Sequence, residues 1–172
     1  CPSNHYSSNK YDSNKPNIIL LKQDEYFEPL FYFKHEQNNI LRVFTIFREN
    51  DRDIPILVKD NINVKGLKTT AGASAFENNL VDNDAYVIKN LKEQGVLILG
   101  KLNMSEWAYY FCRPCPVGYS SMGGQTLNPY GRKVFESGGS SSGSGVSIAA
   151  NFAVASLGSE TSGSILSPSS RN

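Results

Sequence analysis

Two serines and one lysine stand in this sequence where their surroundings could give them chemistry. Ser164 and Ser140 both lie in Gly/Ser-rich segments, and Lys59 closes the run "PILVK". A serine hydroxyl becomes a nucleophile only when a base can take its proton. The two histidines, His5 and His35, both fall outside the well-patterned region, which disfavours a Ser-His-Asp arrangement. Lys59 is the better base. An apolar interior penalises its ammonium form, lowers its pKa and leaves an amine able to accept a proton. Serine–lysine pairs are known variants of triad logic. The competing reading is a strand-end lysine reaching back to solvent, and on the strand pattern alone it is the stronger of the two.

The stretch around Ser140 poses a second choice. Ten of the eleven residues from Ser137 to Ser147 are Gly or Ser, a composition that ordinarily makes a flexible spacer. A spacer stays polar on both sides. This one leads into "VSIAANFAVASLG", where Val146, Ala149, Ala150 and Ala153 share one helical face. The tract therefore reads as a tight turn feeding a buried helix. Its glycines make no nucleotide loop: Gly143 is followed by Ser144 and Gly145 rather than Lys-Ser/Thr, and Ile148 stands where a dinucleotide fingerprint has its third glycine.

The elements that must position these residues begin at Ile54. "IPILVKDNINVKG" predicts a buried strand and its turn. "DAYVIKNLKEQG" predicts a helix, with Ala85, Ile88, Leu91 and Lys92 at helical spacing, Asp82 or Asp84 as cap and Gly95 as stop. "VLILG" predicts a second strand, and Ser105 with Glu106 and Trp107 a further helix. Strand, helix and strand in that order point to an α/β sheet. Residues 1–16, rich in Asn, Ser, Lys and Tyr, are expected to be disordered, and the apolar clusters between Asn17 and Arg52 have no decisive period.

The 172 residues suffice for one domain with a sizeable core. A net charge of +1 offers no reason to expect a nucleic acid or an anionic membrane as direct partner, and no apolar run has bilayer length. Three cysteines, Cys1, Cys112 and Cys115, argue against a disulfide framework. The CxxC pair lacks a second pair of zinc ligands nearby, so two reduced thiols in a loop and a cytoplasmic location are expected, with no metal.

"PILVKDNINVKG", "GQTLNP", "GGSSSGSG" and "GSETSGSILSP" occur in the order and spacing of the amidase signature family, which the chain resembles over about residues 54 to 170. The resemblance implies hydrolysis of a carbon–nitrogen amide bond in a small molecule, without a cofactor. Lys59 matches the family's catalytic lysine, and Ser140 the serine after a non-proline cis peptide bond. Ser164, 24 residues further on, matches the nucleophile. The amides of Thr161, Ser162, Gly163 and Ser164 match the oxyanion hole, and Gly124 and Gln125 a substrate-binding position. The implied fold is α/β, a mixed central sheet flanked by helices and truncated at its C-terminus. Residues 51–172 would be the first part of the catalytic domain and residues 1–50 a poorly ordered or divergent segment. This chain has Ser162 where many members have Gly and others Asp. It has Leu166 where members acting on carboxylate-bearing substrates place an Arg, and it ends eight residues after Ser164. Two alternatives stay open: an amidotransferase subunit releasing ammonia from glutamine, and an inactive remnant. Nothing indicates the oligomeric state.

Overall fold

The computed structural model describes residues 54–111 and 114–172 in full, together with the backbone of three strands before them. Those strands, β1 (Asn17–Leu21), β2 (Leu30–His35) and β3 (Asn39–Leu41), form an antiparallel sheet in the order β1-β2-β3. The disorder expected of residues 1–16 lies outside the described residues.

The sheet that carries the site is built on β4 (Ile54–Lys59). It is flanked by β5 (Val96–Leu102) on one side and β8 (Ala155–Leu157) on the other, both parallel to it. The described strands of this sheet thus all run one way. Alternation along β4 divides its side chains between two faces. Ile56 and Val58 pack with Val64, Ile88 and Ile98, whereas Leu57 packs with Leu99 and Leu102 on the opposite face. Lys59, two residues after Leu57, shares the second face. An extra residue in β5 shifts the register between Ile56 and Leu57, a bulge of the kind that re-aims side chains.

Helix α1 (Tyr86–Glu93) makes the crossover between β4 and β5 and covers the first face with Ile88. The expected stop holds: Gly95, at φ +81°, follows the last turn, a conformation glycine adopts without strain. The expected acidic cap does not. Ala85 occupies the N-cap, while the Asp84 carboxylate accepts the Lys65 amide at 2.7 Å and pairs with Lys92 at 2.9 Å. Lys92 consequently faces outward rather than into the core.

Beyond β5 the segment expected to be a helix is a short 3₁₀ turn, Glu106–Tyr109, because Trp107, Ala108 and Tyr109 are left-handed, at φ 51°, 52° and 73°. A small hairpin follows, β6 (Tyr119–Ser120) and β7 (Gly124–Gln125). Cys115 is disulfide-bonded, with a partner outside the described residues. This corrects the expectation of reduced thiols, since pairing is decided by the fold and sequence spacing leaves it open.

The Gly/Ser tract is no linker. Helix α2 (Ser142–Ala149) starts inside it and buries Ser142, Gly143, Ser144, Val146 and Ser147. The expected face was longer and more apolar. Ala150 ends the helix, and Ala153 lies past it. Small residues let α2 lie against the chain leaving β5, where a Cβ on Gly143 would fall 2.5 Å from the Asn103 carbonyl oxygen. The buried hydroxyls are satisfied locally, Ser142 donating to Gly138 O (2.6 Å) and Ser147 to Ser144 O (3.0 Å). After β8 comes α3 (Leu166–Arg171). Among the described residues no helix is long and apolar enough to cross a membrane.

Candidate active site

Lys59 is the last residue of β4 and is fully buried. Its Nζ lies 2.8 Å from Ser140 Oγ and donates to the Ser159 carbonyl at 3.0 Å. Ser140 Oγ in turn donates to Ser164 Oγ at 3.0 Å. Three residues spread over more than a hundred positions thus form one continuous line of contacts. Burial drives the Lys59 pKa from 10.5 down to about 8, and the negative Glu160 partly opposes this. A large share of the amine is therefore neutral at mildly alkaline pH.

The line is held from the backbone. The peptide bond Gly139–Ser140 is cis, as the resemblance implies. The Ser140 carbonyl accepts the Ser105 amide at 3.0 Å, and the Ser164 carbonyl accepts the Ser141 amide at 3.0 Å. Gly138, at φ +66°, admits no side chain, since a Cβ there would fall 2.6 Å from Pro168 Cα. That close approach locks the turn before Ser140 onto α3.

Glu160 and Asp60 were not singled out by sequence reasoning, and both shape the site. The Glu160 carboxylate accepts the amides of Ile165 (2.6 Å) and Leu166 (2.8 Å), the two residues after Ser164. Bonds from the amides of Leu166, Ile165 and Gly163 hold its pKa below the ordinary carboxylate value. Of the four amides expected to line the oxyanion hole, that of Gly163 thus faces Glu160. Asp60, next to Lys59, accepts the Thr70 amide at 3.2 Å and the Gly72 amide at 3.3 Å, bonds the Thr70 hydroxyl and pairs with Lys101 at 3.4 Å. It thereby folds the loop after β4 back on itself. Glu160 sits inside a motif legible in the sequence, but no local signal reveals that its carboxylate turns back onto the next helix. Gly124 and Gln125 form strand β7, and the Gln125 side-chain amide donates to the carbonyls of Val117 (2.6 Å) and Thr126 (3.0 Å).

A buried amine aligned with two serine hydroxyls lies at the end of a central parallel strand of an α/β protein, and comparison with known proteins names the family. The amidase family model matches residues 52–172, and the chain belongs to that family. It is 49% identical over 120 residues to a probable amidase of Arabidopsis thaliana, covering 69% of this chain and 23% of the relative. It is 44% identical over 115 residues to a glutamyl-tRNA(Gln) amidotransferase subunit of Methanococcoides burtonii, covering 67% of this chain and 23% of the relative. The native peptide amidase of Stenotrophomonas maltophilia superposes with a TM-score of 0.62 at 46% identity, over 64% of this chain and 22% of that one. The chain spans under a quarter of the length of each.

Proposed function

We propose that this chain carries the catalytic residues of an amidase that hydrolyses a carbon–nitrogen bond in a small-molecule amide through an acyl-enzyme. The observation that carries the reading is the line Lys59 Nζ–Ser140 Oγ–Ser164 Oγ, at 2.8 and 3.0 Å, with Lys59 pushed down to about 8. In its ammonium form Lys59 donates to Ser140. Once neutral it accepts instead, and freely rotating hydroxyl hydrogens let the whole line reverse.

Ser164 Oγ then attacks the substrate carbonyl carbon while its proton passes to Ser140 Oγ and the Ser140 proton passes to Lys59 Nζ. The carbonyl π electrons move onto oxygen, where the amides of Thr161, Ser162 and Ser164 can receive them, that of Gly163 being engaged by Glu160; removing one such donor typically costs about 3 kcal/mol. Collapse of that intermediate breaks the C–N bond, and the departing nitrogen takes the proton back through Ser140. Water cleaves the ester by the same relay. Gly124 and Gln125, on the neighbouring hairpin, are assigned to substrate binding.

A fluorophosphonate probe tests this. The protein should be labelled covalently at Ser164, and Ser164→Ala should take no label. Labelling that persists in Ser164→Ala, or a wild-type protein that resists the probe, rejects the reading. The 44% identity to an amidotransferase subunit supports a second reading with the same chemistry applied to glutamine, and ammonia release from glutamine far exceeding that from other amides would favour it.

A further inference from the structure

We propose that the aromatic array of Phe76, Trp107, Tyr110 and Phe111 is a substrate subsite, and that the preferred amides carry an aromatic or bulky apolar group; the inference rests on the amidase reading. The rings pair edge to face in sequence, with centroids 5.3 Å apart for Phe76–Trp107, 5.5 Å for Trp107–Phe111 and 4.8 Å for Tyr110–Phe111. Yet Tyr110 is 80% exposed, Phe111 72% and Phe76 41%. An ordered cluster of large rings open to solvent marks a recognition surface rather than scattered surface hydrophobicity.

Its position says what it recognises. The segment that bears it leaves β5 at the carboxyl end of the parallel sheet, the same end at which Lys59 closes β4, and ligands of open α/β sheets bind at that end. The segment is fastened to the proposed relay. Ser105 donates its amide to the Ser140 carbonyl, and a Cβ on Gly139 would lie 2.6 Å from Ser105 Oγ and 2.7 Å from the Tyr109 hydroxyl. Tyr109 thus seals the residue before Ser140, while Tyr110 and Phe111 beside it stay exposed.

Three consecutive left-handed residues, Trp107 to Tyr109, produce that split. Such backbone is costly for residues other than glycine and is retained where the surrounding structure demands it. The Trp107 amide donates to the Ala71 carbonyl at 2.9 Å and the Tyr110 amide to the Trp107 carbonyl at 3.0 Å, which fixes the turn. Glu106, the one acid between Ser105 and Phe111, accepts the Ser121 amide at 2.6 Å, and the residues after Ser164 are the exposed Ile165 and Leu166. An aromatic group on the substrate would meet ring faces that the edge-to-face pairing leaves open.

The test compares kcat/KM for 3-phenylpropionamide and for acetamide in the whole protein. Wild type should favour the aromatic amide at least tenfold, and Tyr110→Ala and Phe111→Ala should each lower that ratio at least fivefold. Both positions are exposed enough for these variants to fold. A ratio within twofold of wild type in both variants, or a wild-type preference for acetamide, overturns the subsite. A second measurement stands apart from turnover. In Ser164→Ala, 3-phenylpropionamide should change an emission component that Trp107→Phe removes. If Ser164 takes no fluorophosphonate label and neither amide is cleaved, the amidase reading fails. The emission change then decides the subsite alone, its presence supporting the array and its absence overturning it.

Discussion

At the scale of single residues, the burial of Lys59 has opposite consequences for rate and for stability. Only the neutral amine accepts a proton, so the rate of Ser164 acylation should fall about tenfold per unit as pH drops below about 8. Lys59→Ala should cost roughly three to four orders of magnitude per folded molecule and abolish that acid limb. The stability argument follows from linkage. With a pKa of 10.5 unfolded and about 8 folded, the unfolded chain binds more protons in between. Stability therefore rises from about pH 8 to about 10.5, and that increment, about 3 kcal/mol at most, is lost as pH falls through the folded value. Lys59→Met should accordingly be inactive yet unfold at higher denaturant concentration than wild type at pH 7. Glu160 acts on the same amine from the other side. Its negative charge favours the ammonium form, so Glu160→Gln should move the acid limb of the acylation profile to lower pH. An unchanged limb would show that Glu160 only holds the turn after Ser164.

At the scale of elements, helix α2 inverts the usual effect of glycine. In an exposed helix Gly→Ala stabilises by about 1 kcal/mol. Within α2, a Cβ on Gly143 would fall 2.5 Å from the Asn103 carbonyl oxygen and 2.9 Å from its amide nitrogen, both backbone atoms that cannot swing aside. Gly143→Ala should therefore destabilise by about 1–3 kcal/mol, the ordinary cost of overpacking. Chemical denaturation at matched pH measures it, and a gain in midpoint would refute the packing argument. Because Asn103 lies two residues before Ser105, whose amide holds the Ser140 carbonyl, the same substitution should also slow acylation.

At the scale of the whole molecule, the described parallel sheet runs β5-β4-β8, leaving β8 as an outer strand. Val154 beside it is 67% exposed, and Leu166, at the start of α3, 70%. Open strand edges and apolar patches invite association. Residues 1–172 taken by themselves should bind an apolar-surface dye at room temperature and unfold over a broad range. A sharp, cooperative transition without dye binding would count against this.

Much of this molecule was legible locally. A β-branched run before Lys59 indicates a buried strand, and Gly95 marks the end of α1, because side-chain alternation and backbone freedom act over a few residues. The motif order also identified the three residues that the fold brings into line. Propensity misled where packing outweighed it. Gly and Ser form helices poorly, yet α2 begins inside the Gly/Ser tract because only small residues fit against Asn103. The left-handed turn at Trp107 to Tyr109 has no glycine to announce it, and a helix was expected there. The meeting of Lys59 with Ser140 spans 81 residues. It depends on which face of β4 the lysine takes, on the bulge in β5 and on the turn that seats Ser140. Each is set by contacts between distant segments, which no local pattern contains.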